Sequence, residues 1–423
     1  MAMTGTKVVT RVVLGLTLGL AACGGDDGPP EGCDRWVDPG GDARANVQTM
    51  FEEAVDGDVL CFTPGTYEFD DGVTISDKAD ITIRGTGAER EDVLLNFAGM
   101  GTGNSGINAS SMTNFTIANM RVVDAAANDV FITDSDFVTI RNVSAGWTDL
   151  RAPAEHGRYA LYPVQSSHVI VEDSEAFGSV DAGIYVGQTD RCIVRNNVAH
   201  GNVAGIEIEN STNCEVHNNV ARNNSAGILV FELPGLERQG SRTLVHHNEI
   251  VDNSEENFAP SDVGIIALVP PGIGLMILAA NEVEAHDNTI TGNVSTGVAV
   301  VSYVVPIALG APVPDDAEYD FFPESIYLHD NTYSNNGQMP ASAILLIPGS
   351  QDPPGSTVED IVWDGMMREG MEAGDVLCID DGGSYRMAVI DSDPTSTSDP
   401  PFAVQSTDRA PVTCTGMTID PEF

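Results

Sequence analysis

Ala182-Gly-Ile-Tyr-Val186, Ala204-Gly-Ile-Glu-Ile208 and Ala226-Gly-Ile-Leu-Val230 are three copies of one short strand. Each is trailed by a second motif: Val194-Arg-Asn-Asn197, Val216-His-Asn-Asn219 and Val245-His-His-Asn248. Ala285-His-Asp-Asn288 and Leu328-His-Asp-Asn331 continue the second series, while Val263-Gly-Ile-Ile-Ala267 and Thr296-Gly-Val-Ala-Val300 read as continuations of the first. A further asparagine follows each second motif, at Asn202, Asn224, Asn253, Asn293 and Asn336. The intervals Asn197 to Asn219 and Cys192 to Cys214 are both 22 residues. Short alternating strands with Asn and Gly corners at that period fit one coil of a parallel β-helix. Corner asparagines tolerate left-handed backbone, and their side chains can bond the next coil. The apolar spacing of two excludes helical repeats, and the leucine pattern of a leucine-rich repeat is missing. The expected fold is therefore all-β: a single-stranded right-handed parallel β-helix with an N-terminal capping helix and a C-terminal cap.

Val47, Met50, Phe51, Ala54 and Val55 fall on one face of a short helix suited to close the first coil. Asp58-Val-Leu-Cys-Phe-Thr-Pro-Gly-Thr-Tyr67 and Ile81-Thr-Ile-Arg-Gly-Thr-Gly87 resemble the opening of pectate-lyase-like β-helix proteins, and Ala373-Gly-Asp-Val-Leu-Cys378 echoes the first of them. Gly157-Arg-Tyr-Ala-Leu-Tyr-Pro-Val164, Asp181 to Gln188, Gly205 to Asn210, Gly227 to Gly235 and Asn257-Phe-Ala-Pro260 resemble a family of exported β-helix proteins, commonly lipoproteins. That family has no established activity, so the resemblance implies fold and export rather than chemistry.

The N-terminus agrees with export. Lys7 and Arg11 precede the apolar run Val12 to Leu20, and Leu20-Ala-Ala-Cys23 looks like a bacterial lipobox. The resemblance implies cleavage before Cys23 and a lipid on its sulfur; Gly24 in place of Asp points to the outer membrane of a Gram-negative bacterium. A plain signal peptide cut nearby is the other reading. The chain then divides into a signal peptide (1–22), lipidated cysteine and acidic linker (23–44), β-helix (45–372) and C-terminal cap (373–423). With 63 acidic and 19 basic residues the net charge is −44. Such a body repels nucleic acid and anionic lipid surfaces, leaving a polysaccharide or an envelope protein as partner. No cofactor is required by any motif; Ca²⁺ could bridge an anionic glycan to this surface.

Six cysteines remain after Cys23. Their positions suggest Cys33–Cys61 and Cys378–Cys414 pairs in an exported chain. Cys192 and Cys214 stack inward, where a disulfide is geometrically allowed but two buried thiols are the favoured reading.

Strand alternation assigns an outward face. Tyr162, Tyr185, Glu207, Leu229 and Ile266 form one outward column; Val164, Gly187, Glu209, Phe231 and Leu268 form the next. Beside them Ala160, Gly183, Gly205, Gly227 and Gly264 read as a trough of small residues. Long insertions (Glu232 to Arg242, Ser254 to Asp262, Pro270 to Asn281, Val304 to Glu324) flank this face and would wall a groove. Tyr162, Tyr185, Gln188, Glu209, Asn210, Phe231 and Glu232 are the expected binding residues. His156, Arg158, Tyr159, Asp181 and Glu207 are the expected catalytic set, as base, charge neutraliser and acid. Outward Tyr and Glu are also what a solvated strand tolerates. The polygalacturonase Asp pairs and Gly-His-Gly are missing, Glu155-His156-Gly157 being a partial echo, and the Asp-Pro-His of mannuronate epimerases is absent.

His217, His246, His286 and His329 form a further outward column, expected to stand about 4.8 Å apart. They are candidates for a shared metal ion or a coupled titration; a solvated polar ladder is the plainer reading. Two functions stay open: a surface lipoprotein binding or processing a polysaccharide (as lyase, epimerase or hydrolase), and a non-catalytic envelope module docking a partner protein through Leu229, Phe231, Ile266 and Leu268.

Overall fold

The computed structural model describes residues 28–101, 103–149, 152–340, 357–390, 402–414 and 419. The signal segment, Cys23 and the Asp391 to Pro401 loop lie outside them. Among the described residues no helix is long and apolar enough to cross a membrane.

The chain is a right-handed parallel β-helix. Three strand runs wind along it. One, here the histidine face, stacks Ser167–Glu172, Asp190–Arg195, Thr212–His217, Ser241–His246, Asn281–His286 and Glu324–His329 in register. A short corner run stacks Glu175–Phe177, Val198–His200, Val220–Arg222 and Glu249–Val251. The third, here the tyrosine face, is a 12-stranded sheet running from Val73–Ser76 to Phe402–Ser406. Parallel stacking extends past residue 372, through Leu377–Asp380 and Tyr385–Ile390, and ends on an antiparallel strand, Phe402–Ser406. Inward residues such as Val171, Val194, Val216, Ile184, Ile206 and Ile228 make one continuous core.

The asparagines divide two tasks between neighbouring positions. The left-handed backbone belongs to Asn196, Asn218, His247, Asp287 and Asp330, one residue before the motif asparagine. The motif asparagines are buried and bond along the stack. Asn197 Nδ2 donates to Asn219 Oδ1 (3.0 Å), Asn219 to Asn248 (3.0 Å), Asn248 to Asn288 (2.9 Å) and Asn288 to Asn331 (2.9 Å). A parallel ladder runs Asn202, Asn224, Asn253, Asn293, Asn336.

The glycine column is explained by that second ladder. A Cβ at Gly205 would stand 2.6 Å from the Gly227 carbonyl and 2.8 Å from Asn224 Nδ2; Gly183, Gly227 and Gly274 meet the same obstacles. The expected trough for a ligand is thus a contact with the asparagines, and its fourth glycine is Gly274 rather than Gly264. Val263 to Ala267 is not a strand. Ile265–Leu268 is a short 3-10 turn in a loop, and the strand is Ile273–Leu278, inside the stretch expected to be insertion.

The N-terminal end is closed as expected, with one difference. Helix Ala43–Glu53, capped by Asp42, buries Ala43, Val47, Met50 and Phe51 against the first coils, whereas Val55 is exposed. Cys33–Cys61 and Cys378–Cys414 are disulfides. So is Cys192–Cys214, against the expectation of free thiols: strand pairing sets the two side by side with Cα atoms 4.5 Å apart, within bridging range.

Candidate functional site

The outward column on the tyrosine face is Phe131, Tyr162, Tyr185, Glu207, Leu229, Met276 and Ala299. Met276 and Leu278 replace the expected Ile266 and Leu268, because the strand lies later in the chain. Burial splits this column. Phe131, Tyr159 and Tyr162 are half-buried, while Tyr185 is 4% and Glu207 3% exposed. Beyond them the insertions fold down as a roof: Leu233, Phe258, Ile265, Ile266, Tyr303 and Tyr319 pack on Leu229, Phe231, Met276 and Leu278 in a second hydrophobic core. Leu229 and Phe231 are therefore 0% and 2% exposed. They fill a covered core and do not grade an open groove towards a docking partner.

What stays open is the aromatic rim. Tyr159 and Tyr162 lie with ring centroids 4.3 Å apart, Tyr162 stacks on Phe131 at 5.0 Å, and both tyrosines meet Tyr185 at 4.6 and 5.0 Å. Phe131 was missed in the sequence because its strand, Asn128–Thr133, lacks the Gly-Ile signature. Behind the rim sit Asp181, Glu207 and Glu209, all buried. Gly187 makes this possible: a side chain there would collide with the Tyr185 ring, which folds over it so that its hydroxyl donates to Glu209 Oε1 at 2.5 Å.

The electrostatics follow from crowding acids in a dry place. Burial, then the hydrogen bond from Tyr159 and opposing pulls from Glu209 and Arg158, leave Asp181 raised to about 7. Burial lifts Glu209 to about 7 despite the Tyr185 bond. Burial and repulsion from Asp181 and Glu209 push Glu207 well up as well. Its Oε2 is buried without a hydrogen-bond partner. The phenols of Tyr159 and Tyr185 are raised, chiefly by burial. The cluster therefore shares few protons among several acids near neutrality, the condition for acid–base chemistry.

Other expected residues do different work. Both ring nitrogens of His156 bond backbone carbonyls, of Gly178 (2.6 Å) and Asp149 (2.7 Å), so it pins its loop and has no free nitrogen to act as a base. Arg158 is exposed at the rim, and its carbonyl accepts from Asp181 N. Gln188, Asn210 and Glu232 hold the roof instead of facing a ligand. Gln188 Oε1 accepts from Glu237 N, Asn210 bonds Glu232 and the Leu233 and Arg238 carbonyls, and Glu232 Oε2 accepts from Gly240 N. Burial raises Glu232 to about 8. It also borders a cavity of about 450 Å³ with Gln239, Asn281, Asp320 and Glu324, separate from the tyrosine rim.

On the opposite face the histidine column forms as expected. His217, His246, His286 and His329 stack with centroids 5.0, 4.9 and 4.8 Å apart. Burial lowers His217 and His246; at His329 burial also acts downward, but bonds to Asp330 and Glu284 outweigh it and raise the group. The glutamates of this face, Glu215 and Glu284, were missed, although the spacing Glu215-Val-His217 and Glu284-Ala-His286 puts each beside a histidine.

No curated protein matches the sequence. Among solved structures, the mannuronan C-5 epimerase AlgE4 A-module of Azotobacter vinelandii is similar at 16% identity, covering 82% of this chain and 95% of that one, with a TM-score of 0.49. The DFA-IIIase of Arthrobacter chlorophenolicus A6 is similar at 13% identity (78% and 92% covered, TM-score 0.47). Pectate lyase Pel9A is similar at 13% identity (86% and 94% covered, TM-score 0.44). Residues 72–235 match the family described as a right-handed beta helix region, and the coils that continue on either side of that stretch carry the same parallel β-helix stacking.

Proposed function

We propose that the protein binds a hydroxyl-rich polysaccharide on the aromatic rim of Phe131, Tyr159 and Tyr162 and moves protons on it with the acids behind. The observation that carries this reading is the buried, unpartnered Glu207 Oε2 beside Asp181 and Glu209. An orphaned buried carboxyl oxygen costs stability, and a site that donates to or accepts from a substrate is a reason to retain one. Flat rings stack on sugar faces while buried carboxyls engage hydroxyls. Three acids against one arginine disfavour a polyuronate unless the acids are protonated or bridged by Ca²⁺, so a neutral glycan is the better fit. A raised, protonated Glu207 is suited to donate to a leaving oxygen; Asp181 or Glu209, ionised, is suited to accept from an incoming hydroxyl. The roof beyond Glu207 favours a chain end entering from the N-terminal side over a chain lying across.

A glycan-binding screen with product analysis tests this. Tyr162→Ala should lower affinity at least about tenfold, the scale of a lost stacking contact, and Glu207→Gln should keep binding while abolishing turnover. Equal binding by wild type and Tyr162→Ala, or none by either, overturns the reading. Tethering to the outer membrane through Cys23 completes the proposal.

A further inference from the structure

We propose that Glu284, His286 and His329, on the face opposite the tyrosines, form a site for a divalent first-row cation of the Zn²⁺ class, with water completing the coordination. One ligand atom from each residue lies within 4.8 Å of the others. His286 and His329 stand on adjacent coils with rings 4.8 Å apart, and Glu284 Oε1 lies 2.9 Å from His329 Nε2. Tetrahedral zinc at about 2.0–2.1 Å from nitrogen wants neighbouring donors roughly 3.3 Å apart; the gap closes by small side-chain rotations.

The second observation is the orientation of the rings. His286 Nδ1 lies 2.8 Å from Asp287 Oδ2 and His329 Nδ1 lies 2.8 Å from Asp330 Oδ2. Ionised carboxylates only accept, so each Nδ1 carries a proton, which leaves Nε2 as the nitrogen of each ring that a metal can take. This is the carboxylate–histidine–metal arrangement that fixes tautomer and strengthens the ligand. At His329 both nitrogens face carboxylate oxygens, so positive charge is required on that ring edge: a second proton, or a metal ion in its place. The other Glu284 oxygen accepts from Ile419 N, which fixes the carboxylate and leaves Oε1 for the ion.

The sister group Glu215, His217 and His246 is equally compact but lacks this orientation. Asn218 Nδ2 stands 3.0 Å from His217 Nδ1; as donor it leaves the proton on Nε2, the wrong tautomer for binding on that side. His246 Nδ1 meets His247 rather than a carboxylate. Binding at Glu284 would clip the strands Asn281–His286 and Glu324–His329 across the long excursion between them.

Zn²⁺ titration calorimetry on the full chain, with Co²⁺ absorption as a geometric readout, tests the site. One ion per chain is expected, with intense four-coordinate Co²⁺ bands. Glu284→Gln and His329→Asn should each weaken binding about 10- to 100-fold, Asp330→Asn, an exposed position, about tenfold, and His217→Asn should leave it unchanged. Melting in chelator checks that the variants fold, and Asp330→Asn serves if a ligand variant does not. Wild-type affinity in Glu284→Gln and Asp330→Asn, no saturable binding, weak six-coordinate Co²⁺ bands, or loss on His217→Asn overturns the site.

Discussion

Glu207 sets a conflict between stability and chemistry within one side chain. A carboxyl raised in the folded state holds its proton after the unfolded chain has released it, so its contribution falls as pH climbs from about 4.5 towards the folded value. With Asp181 and Glu209 raised to about 7, the cluster weakens the fold between about pH 4.5 and 7 and leaves it weaker above. Glu207→Gln removes part of that cost. Its melting temperature should exceed the wild type's at about pH 8 and match it near pH 4.5. A variant less stable at both pH values would mean that Glu207 is an ordinary packed residue. Tyr185, Glu207 and Glu209 were legible from alternation alone, because period two fixes faces. Their burial was not, since it comes from the roof, whose loops have no period. His156 was misread for a related reason: its carbonyl partners, Gly178 and Asp149, are set by the path of a loop.

At the scale of the repeat, each ladder asparagine satisfies groups on both neighbouring coils. Asn219 donates to the Val194 carbonyl and to Asn248, and accepts from Asn197. Asn219→Ala should cost about 2–4 kcal/mol in denaturant unfolding, because its partners are left buried and unpaired. Asn218→Ala, one position earlier at φ 54°, should cost only about 1 kcal/mol of left-handed strain. Equal effects would remove the division of labour between the two positions. The misplaced strand had a usable signal. Gly187 precedes Asn197, and Glu209 precedes Asn219, by the same ten residues as Leu278 precedes Asn288. Counting back from the ladder would have found Ile273–Leu278, whereas the Gly-Ile pair at Gly264 is a local coincidence in a loop.

The molecule as a whole is uneven along its axis: bare strands and a half-open rim towards the N-terminus, a roofed second core towards the C-terminus. Coil length legible in sequence predicted the insertions except at Pro270 to Asn281, which holds the strand Ile273–Leu278, but not that they pack inward as a core of their own, because Tyr303, Tyr319 and Phe321 carry no repeat to align. Attachment belongs to this scale too. Cys23→Ser should move the protein from the membrane to the soluble fraction and abolish metabolic labelling with palmitate; continued labelling would exclude Cys23 as the lipidated residue.

The Cys33–Cys61 bond has a mechanical meaning if the chain is held by its N-terminus. It joins positions 28 residues apart, on the approach to the first strand and within the second. A tug on the leading end bypasses the capping helix and loads the strand Val59–Phe62 directly. With the bond intact the cap keeps its seat under tension; once reduced, the strand Arg35–Val37 is the first part to peel, the helix follows it, and the open coil beneath loses its cover.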